Sequence, residues 1–199
     1  MTNTKTPNTL EMLTAEELAI KAQGGSKAHF AELVNRYGPR LYHFLRHKVS
    51  RDEDAEDLVQ DTLVKAYQNL HRYNPSHPFS AWLFTIGKRE AISYYRSQQR
   101  RRERPEPMPP GAVPNPLEMI VRREEKDNLW KRARQLPEKQ YDALWLRYAE
   151  DMSVKEISQV LGLTQIHIKV LLYRGRSQLA KLHQQTEPAV RLAERSLVL

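Results

Sequence analysis

The sequence predicts an all-α protein in which a proline-rich linker joins two small helical domains. On both sides of the linker, apolar residues recur at the three- and four-residue spacing of amphipathic helices, and the alternating pattern of β-strands is missing. Residues 105–116, PEPMPPGAVPNP, contain six prolines in twelve positions, which prevents regular helix or strand pairing and favours an extended spacer. We therefore expect the linker over residues 105–117.

The first domain is expected over residues 15–104, after a flexible tail at 1–14. Runs of helical spacing predict three or four helices in it. Helix starts are predicted where Ser or Thr is followed three residues later by Glu, the spacing of a capping box. The pairs with this spacing are Thr14 with Glu17 and Ser50 with Glu53. The Gly38-Pro39 pair is expected to end or kink a helix, because proline lacks the amide hydrogen that a helix interior needs.

The second domain is expected over residues 118–185, followed by a C-terminal tail at 186–199. Its amphipathic segments are 118–135, 138–149, 153–161 and 164–183. Each domain is small enough to be only marginally stable alone, so partner proteins are expected to stabilise both.

Composition excludes several classes of protein. The 199 residues include no cysteine, so disulfides and thiolate metal sites are excluded and the reducing cytoplasm is the simplest compartment. No stretch approaches the roughly 20 apolar residues of a membrane span, and the N-terminus lacks the apolar core of a signal peptide. We therefore expect no membrane insertion.

The net charge of +8 favours a polyanionic partner, although a basic protein can owe its charge to solubility alone. Clustering of the charge favours nucleic acid. Residues 88–104, KREAISYYRSQQRRRER, carry seven basic and two acidic side chains and therefore a local charge of +5. This segment predicts a surface that follows a phosphate backbone.

Aromatic residues precede the basic segment, in RYNPSHPFSAWLF at 72–84. Aromatic rings beside a cationic track are typical of single-stranded DNA binding, because an unstacked base gains roughly 1–3 kcal/mol by stacking on a ring. Core packing is the alternative for the same residues. We expect Trp82 mainly to pack and the loop at 73–79 to read bases.

An acidic helix interrupts this basic chain. Residues 51–61, RDEDAEDLVQD, carry six acids and one arginine, a local charge of −5. A solvated helix start explains the acids of the first turn, since they complement the helix dipole. It explains less well the polar face that continues at Asp57, Gln60 and Asp61. We predict that this face docks on a basic helix of a partner protein.

A helix-turn-helix motif is predicted in SVKEISQVLGLTQIHIKVLLYRGRSQL, at 153–179. Ser153 and Glu156 form a capping box, Gly162 supplies the positive φ that the turn needs, and Thr164 can cap the second helix. In such a motif the start of the second helix enters the major groove. The candidate groove contacts are Gln165, His167, Lys169 and Tyr173, with Arg174 and Arg176 near phosphates. Two ordinary helices joined by a glycine turn are the alternative.

These segments together resemble a known family. DAEDLVQDTLVKAY, PFSAWLFTI and the arginine-rich helix resemble region 2 of bacterial RNA polymerase sigma factors of the extracytoplasmic function (ECF) type. LPEKQYDALWLRYAEDMSVKEISQVLGLTQIHIKVLLYRGRSQLAKL is similar to their region 4. The similarity covers roughly residues 18–183, in the family's order on both sides of the linker.

The resemblance implies a sigma factor without catalytic residues, cofactor or metal. It would bind core RNA polymerase, melt the downstream promoter element as single strand and read the upstream element as duplex. An anti-sigma factor is a further expected partner. The polymerase-binding residues, facing a basic coiled coil of the largest subunit, would be Asp54, Asp57, Leu58, Gln60 and Asp61. The helix with Tyr141, Leu144 and Trp145 would lie near the polymerase flap.

The resemblance also assigns the DNA contacts. For the downstream element these would be Tyr73, Asn74, His77, Phe79, Trp82, Lys88, Arg89, Arg96, Arg100 and Arg101. For the upstream element they would be Lys155, Thr164, Gln165, His167, Lys169, Val170, Tyr173, Arg174 and Arg176.

Several residues depart from the family pattern. Arg89 replaces an asparagine that is usual near the melted strand, so base preference there does not transfer. His167, Val170 and Leu171 replace the threonine, serine and arginine of the usual second helix, so upstream specificity does not transfer either. Gly175 replaces an alanine, at a cost of up to about 1 kcal/mol in helix propensity.

Two other functions remain as alternatives. A stand-alone helix-turn-helix regulator would dimerise on a palindromic site and bind duplex DNA tightly without polymerase, but it leaves the acidic helix unexplained. An enzyme would need a site such as His43 and His47, which share a helix face as metal ligands can; no third ligand is recognisable, and packed or solvated histidines are the simpler interpretation.

Overall fold

A computed structural model describes residues 10–103 and 124–196, with side chains described within 10–100 and 129–182. The predicted linker at 105–117 lies outside the described residues, as do most of the N-terminal tail and the side chain of Arg101. The described residues are helical and contain no strand, which confirms the all-α fold class. The α-helices are α1 (Ala15–Gln23), α2 (Lys27–Arg46), α3 (Asp52–Gln68), α4 (Phe79–Glu103), α5 (Glu124–Ala133), α6 (Glu138–Tyr148), α7 (Val154–Leu161) and α8 (Gln165–Ser196). A short 3₁₀ turn, Leu70–Arg72, follows α3.

The first half of the chain packs α1–α4 around one apolar core. The ring of Phe44 on α2 lies edge-to-face against Phe84 on α4, with centroids 5.1 Å apart. Tyr37 and Phe79 make a similar contact at 5.4 Å. Burial of these rings, together with the buried leucines around them, drives the packing of these helices.

The helix ends in this half agree only partly with the sequence predictions. The Thr14 and Glu17 capping box is confirmed, with both hydrogen bonds present. The predicted box at Ser50 and Glu53 is wrong, because α3 starts at Asp52 after Arg51 and has no side-chain cap. Ion pairs organise this start instead: Arg51 bonds to Asp54, and Asp52 accepts from Arg46 of α2. Gly38-Pro39 was predicted to end or kink a helix, and it does not end one, since α2 runs through Pro39; the kink stays a prediction.

The second half packs α5–α8 around apolar residues that are continuous with that core. Trp130, Tyr141 and Trp145 form an aromatic cluster between α5 and α6, with the two tryptophan rings 4.6 Å apart. Gly175 lies where α8 crosses α6, and a Cβ there would lie 3.0 Å from Leu144 Cδ1. The glycine therefore permits the close approach of these two helices. The helix α8 continues beyond the predicted end at 183.

No described helix is both long enough and apolar enough to cross a lipid bilayer.

Candidate nucleic-acid and polymerase interfaces

One face of α3 is acidic and exposed, and the opposite face is buried. The buried residues are Asp54, Ala55, Leu58, Val59, Thr62 and Ala66. The exposed face presents Asp57, with Gln60 and Asp61 three and four residues later and therefore next to it on the helix surface. Val64 continues the same face one turn later and is 48% exposed. Sequence reasoning missed Val64, because an apolar residue in a periodic helix is ordinarily assigned to the core.

Two of the predicted polymerase-binding residues are not on this face. Leu58 is part of the core, and the Asp54 side chain is largely buried in an ion pair with Arg51, at 2.8 Å. The hydrogen bonds from Arg51 hold the pKa of the Asp54 carboxyl below its usual range. Asp54 therefore orders the start of α3, and three of the five predicted residues remain available to a partner.

The outer face of α4 is basic. Arg89, Arg96 and Arg100 line an open groove together with Ile92, Ser93 and Gln99. Residues three, four and seven positions apart share one side of a helix, so the groove follows the helix axis. Its charge suits an extended phosphate backbone.

The aromatic residues before α4 form a packed cluster. The rings of Tyr73, Phe79 and Trp82 lie 5.4 to 5.6 Å apart, and Tyr73 and Phe79 are buried. Burial raises the pKa of the Tyr73 hydroxyl, which donates to the His77 carbonyl at 2.6 Å. Packing of Trp82 agrees with the sequence prediction, but Tyr73 and Phe79 also pack, so neither presents a free ring to a base.

The loop between Tyr73 and Phe79 presents polar side chains. Asn74 and His77 are exposed, and the Asn74 side-chain oxygen accepts from the Ser76 amide at 2.9 Å, which rigidifies the turn. The buried rings thus support a loop whose exposed atoms are hydrogen-bonding groups.

Lys88, a predicted DNA contact, points away from the basic groove. Its ammonium donates to the Leu161 carbonyl at the end of α7, and burial lowers its pKa. In this conformation Lys88 joins the two halves of the chain.

The helix-turn-helix of α7 and α8 has the predicted local geometry. The Ser153 and Glu156 capping box is confirmed, Gly162 has φ of +64°, and the Thr164 hydroxyl accepts from the His167 amide at 3.3 Å. Ile168, Leu171 and Leu172 are buried and hold α8 against the domain. The predicted upstream contacts are all exposed: Lys155, Thr164, Gln165, His167, Lys169, Val170, Tyr173, Arg174 and Arg176. Arg176 also donates to the Tyr148 hydroxyl at 3.2 Å.

The two halves meet through ion pairs, of which the one between Lys48 and Asp142 is buried on both sides. Lys48, just after α2, bonds both carboxylate oxygens of Asp142 at 2.7 Å, and Glu138 at 3.0 Å. Arg40 pairs with the buried Glu150 at 2.8 Å. Burial raises the pKa of Asp142 to about 6, and Lys48 opposes that increase.

Aromatic stacking continues the contact between the halves. The His47 ring stacks on Tyr141 with centroids 4.3 Å apart, and the His43 ring lies 5.6 Å from that of Trp145. The two histidines that suggested metal ligands therefore pack against α6. Tyr141 and Trp145, expected near the polymerase flap, are buried in this conformation.

An exposed acidic face, a basic groove and an exposed second helix of a helix-turn-helix are the surfaces expected of one class of protein, the sigma-70-type sigma factors, and family models place the chain in that class. The family model of sigma-70 region 2 matches residues 33–101, and that of sigma-70 region 4 matches residues 126–179. Relatives named ECF sigma factors match across both regions. The chain belongs to the ECF sigma factors, which are regulatory DNA-binding proteins.

The similar proteins include several characterised sigma factors. The ECF RNA polymerase sigma factor BldN of Streptomyces coelicolor is 28% identical over 83% of this chain and 64% of its own length. SigM of Bacillus subtilis is 26% identical over 77% of this chain and 94% of its own length.

Solved structures agree with the fold. The structure of CnrH in complex with the cytosolic domain of CnrY has a TM-score of 0.60 and 27% identity, covering 86% of this chain and 97% of that one. The sigma factor RpoE of Bartonella quintana, in complex with the anti-sigma factor NepR, has a TM-score of 0.61 and 26% identity, covering 78% and 96% of the two chains.

Proposed function

We propose that α3 binds core RNA polymerase through Asp57, Gln60, Asp61 and Val64, and that the two basic surfaces then engage promoter DNA. The groove on α4, with the polar loop at 74–77, takes the melted downstream element, and the start of α8 reads the upstream element. The protein catalyses no reaction itself and acts in the cytoplasm, with the polymerase.

A single observation carries the proposal: opposite charges lie on separate, exposed faces of neighbouring helices. A carboxylate face would repel DNA, so α3 suits a basic protein surface. Val64 at its end supplies an apolar contact that can be desolvated when a partner covers it. The arginine groove on α4 suits phosphates for the same electrostatic reason.

An anti-sigma factor is the second proposed partner. RpoE of Bartonella quintana is solved with an anti-sigma factor, and this chain resembles it over 96% of that chain's length. We propose that such a protein controls this one by covering the surfaces that bind polymerase.

The test is run-off transcription with purified core polymerase on a genomic promoter library. Discrete start sites are expected with the protein present, and their absence with several core enzymes would contradict the proposal. The double variant Asp57→Lys and Asp61→Lys should weaken core binding by about 30-fold or more, since each reversal removes one attraction and adds one repulsion. Glu11→Lys, an exposed reversal outside α3, is the control and should leave core affinity unchanged.

A further inference from the structure

The recognition helix carries an exposed apolar stripe. Ile166, Val170 and Tyr173 are 76%, 38% and 67% exposed. Their spacing of four and three residues places them on one side of α8. Ile166 is an apolar residue of the type that usually lies in a core, and the sequence analysis did not identify it as a contact.

The exposed part of this stripe adds little to holding the domain together. The residues that seat α8 are Ile168, Leu171 and Leu172, which are buried on the other side of the helix. Ile166 is mostly in water and Val170 is 38% exposed, so the further burial of both side chains depends on what covers them.

The charge around the stripe identifies a polyanion as the covering molecule. Residues 164–176 include no acid, and Lys169, Arg174 and Arg176 flank the stripe. Lys155 on α7 is a further exposed cation of the helix-turn-helix. Duplex DNA, with its dense phosphate charge, matches this arrangement.

Within the major groove, an aliphatic side chain has one apolar partner, the C5-methyl group of thymine. Gln165 and Lys169, both exposed in the first two turns, can hydrogen-bond to adenine and guanine, which leaves the aliphatic side chains between them for thymine methyl groups. Resting on the proposed function, we infer that Ile166 and Val170 read thymine methyl groups in the upstream element, with the Tyr173 ring extending the contact.

The helix geometry adds a spacing to this inference. Residues four apart on a helix are about 6 Å apart along its axis, and base pairs rise about 3.4 Å. Ile166 and Val170 therefore contact thymines roughly two base pairs apart, on either strand.

The experiment replaces thymidine by deoxyuridine, which removes the methyl group and no hydrogen-bonding atom. On a promoter identified by run-off transcription, each thymidine of the upstream element is replaced in turn, and initiation by the protein with core polymerase is measured at limiting concentration. Loss of a contacted methyl should lower initiation by about four-fold. Deoxyuridine in the spacer between the elements should have no effect.

Protein variants show which side chain makes each contact. Ile166→Ser and Val170→Ser should each lower initiation on the thymidine template and lose their sensitivity to deoxyuridine at one position. Ile20→Ser, an exposed isoleucine of α1, is the matched control and should retain the full sensitivity. Melting temperatures show whether each variant is folded.

The outcomes separate the inference from the proposed function. No core-dependent initiation on any promoter contradicts the function itself. Efficient initiation that is insensitive to deoxyuridine, or an upstream element without thymine, overturns only the methyl contacts. If the serine variants weaken initiation equally on both templates, the stripe binds protein and the inference is wrong.

Discussion

Asp142 is a buried carboxylate whose titration reports on the contact between the two halves. Lys48, Glu138 and Lys88 are the charged groups that face it, and its folded pKa of about 6 exceeds the ordinary 3.8 because of burial. The folded protein therefore binds this proton more tightly than the unfolded chain does. The stability that Asp142 contributes is present below its ordinary pKa and is lost as the pH rises through about 6.

Asp142→Asn removes this titration while keeping the shape of the side chain. We expect the difference in free energy of unfolding, wild type minus variant, to decrease as the pH rises from about 4 to about 7. Urea denaturation at several pH values measures it. A difference that is independent of pH would show that Asp142 is hydrated and that the halves are apart. Asp151→Asn, at an exposed position, is the control.

Among the helices, two capping-box patterns of the sequence, at Ser50 and at Ser153, have different outcomes in the structure. Ser153 caps α7 with both hydrogen bonds of the box, whereas Ser50 makes no cap for α3. Ser153→Ala should lower the free energy of unfolding by about 1 kcal/mol, and Ser50→Ala should leave it nearly unchanged. Equal losses in thermal or urea denaturation would contradict the structure at α3.

The crossing of α6 and α8 depends on the absence of a side chain at Gly175. Gly175→Ala gains about 1 kcal/mol of helix propensity, but its methyl group would press on the buried Leu144, and overpacking of this kind costs about 1–3 kcal/mol. We expect a net loss of stability in urea denaturation. Ser177→Ala, exposed on the same helix, gives the propensity effect alone. A variant at 175 that is stabilised would mean that Leu144 moves aside.

The sequence predicted the helices well because hydrophobic spacing and caps are local signals. It failed at the start of α3, where Arg46 of another helix takes part in setting the boundary. It also could not separate exposed from buried members of a site. Tyr73 and Phe79 were predicted to contact bases, yet both are buried. Val64 and Ile166 were given no role from the sequence, yet both are exposed.

The contact between the halves is a property of the whole molecule. Lys48 and Asp142 are 94 residues apart, so no local pattern could have paired them. Lys48→Met should leave a buried carboxylate without its cation and lower the free energy of unfolding by about 3 kcal/mol. Adding Asp142→Leu should recover most of that loss, because a buried methionine and leucine carry no charge that needs a partner.

Urea denaturation and small-angle scattering measure these two variants. We expect a larger radius of gyration for Lys48→Met than for the double variant. Lys131→Met, an exposed lysine of α5, is the control. Equal radii and unchanged stability would contradict a contact that holds the halves together.

The bond from Lys88 to the Leu161 carbonyl links two events that the sequence treats as separate. A phosphate that recruits this ammonium must displace a backbone oxygen of the other half. Strand capture that recruited Lys88 would therefore share one equilibrium with separation of the halves, and its affinity would be reduced by the free energy of that separation. A molecule that bound between the halves and kept them apart would remove this free-energy cost, and the protein could then use promoters that bind it more weakly.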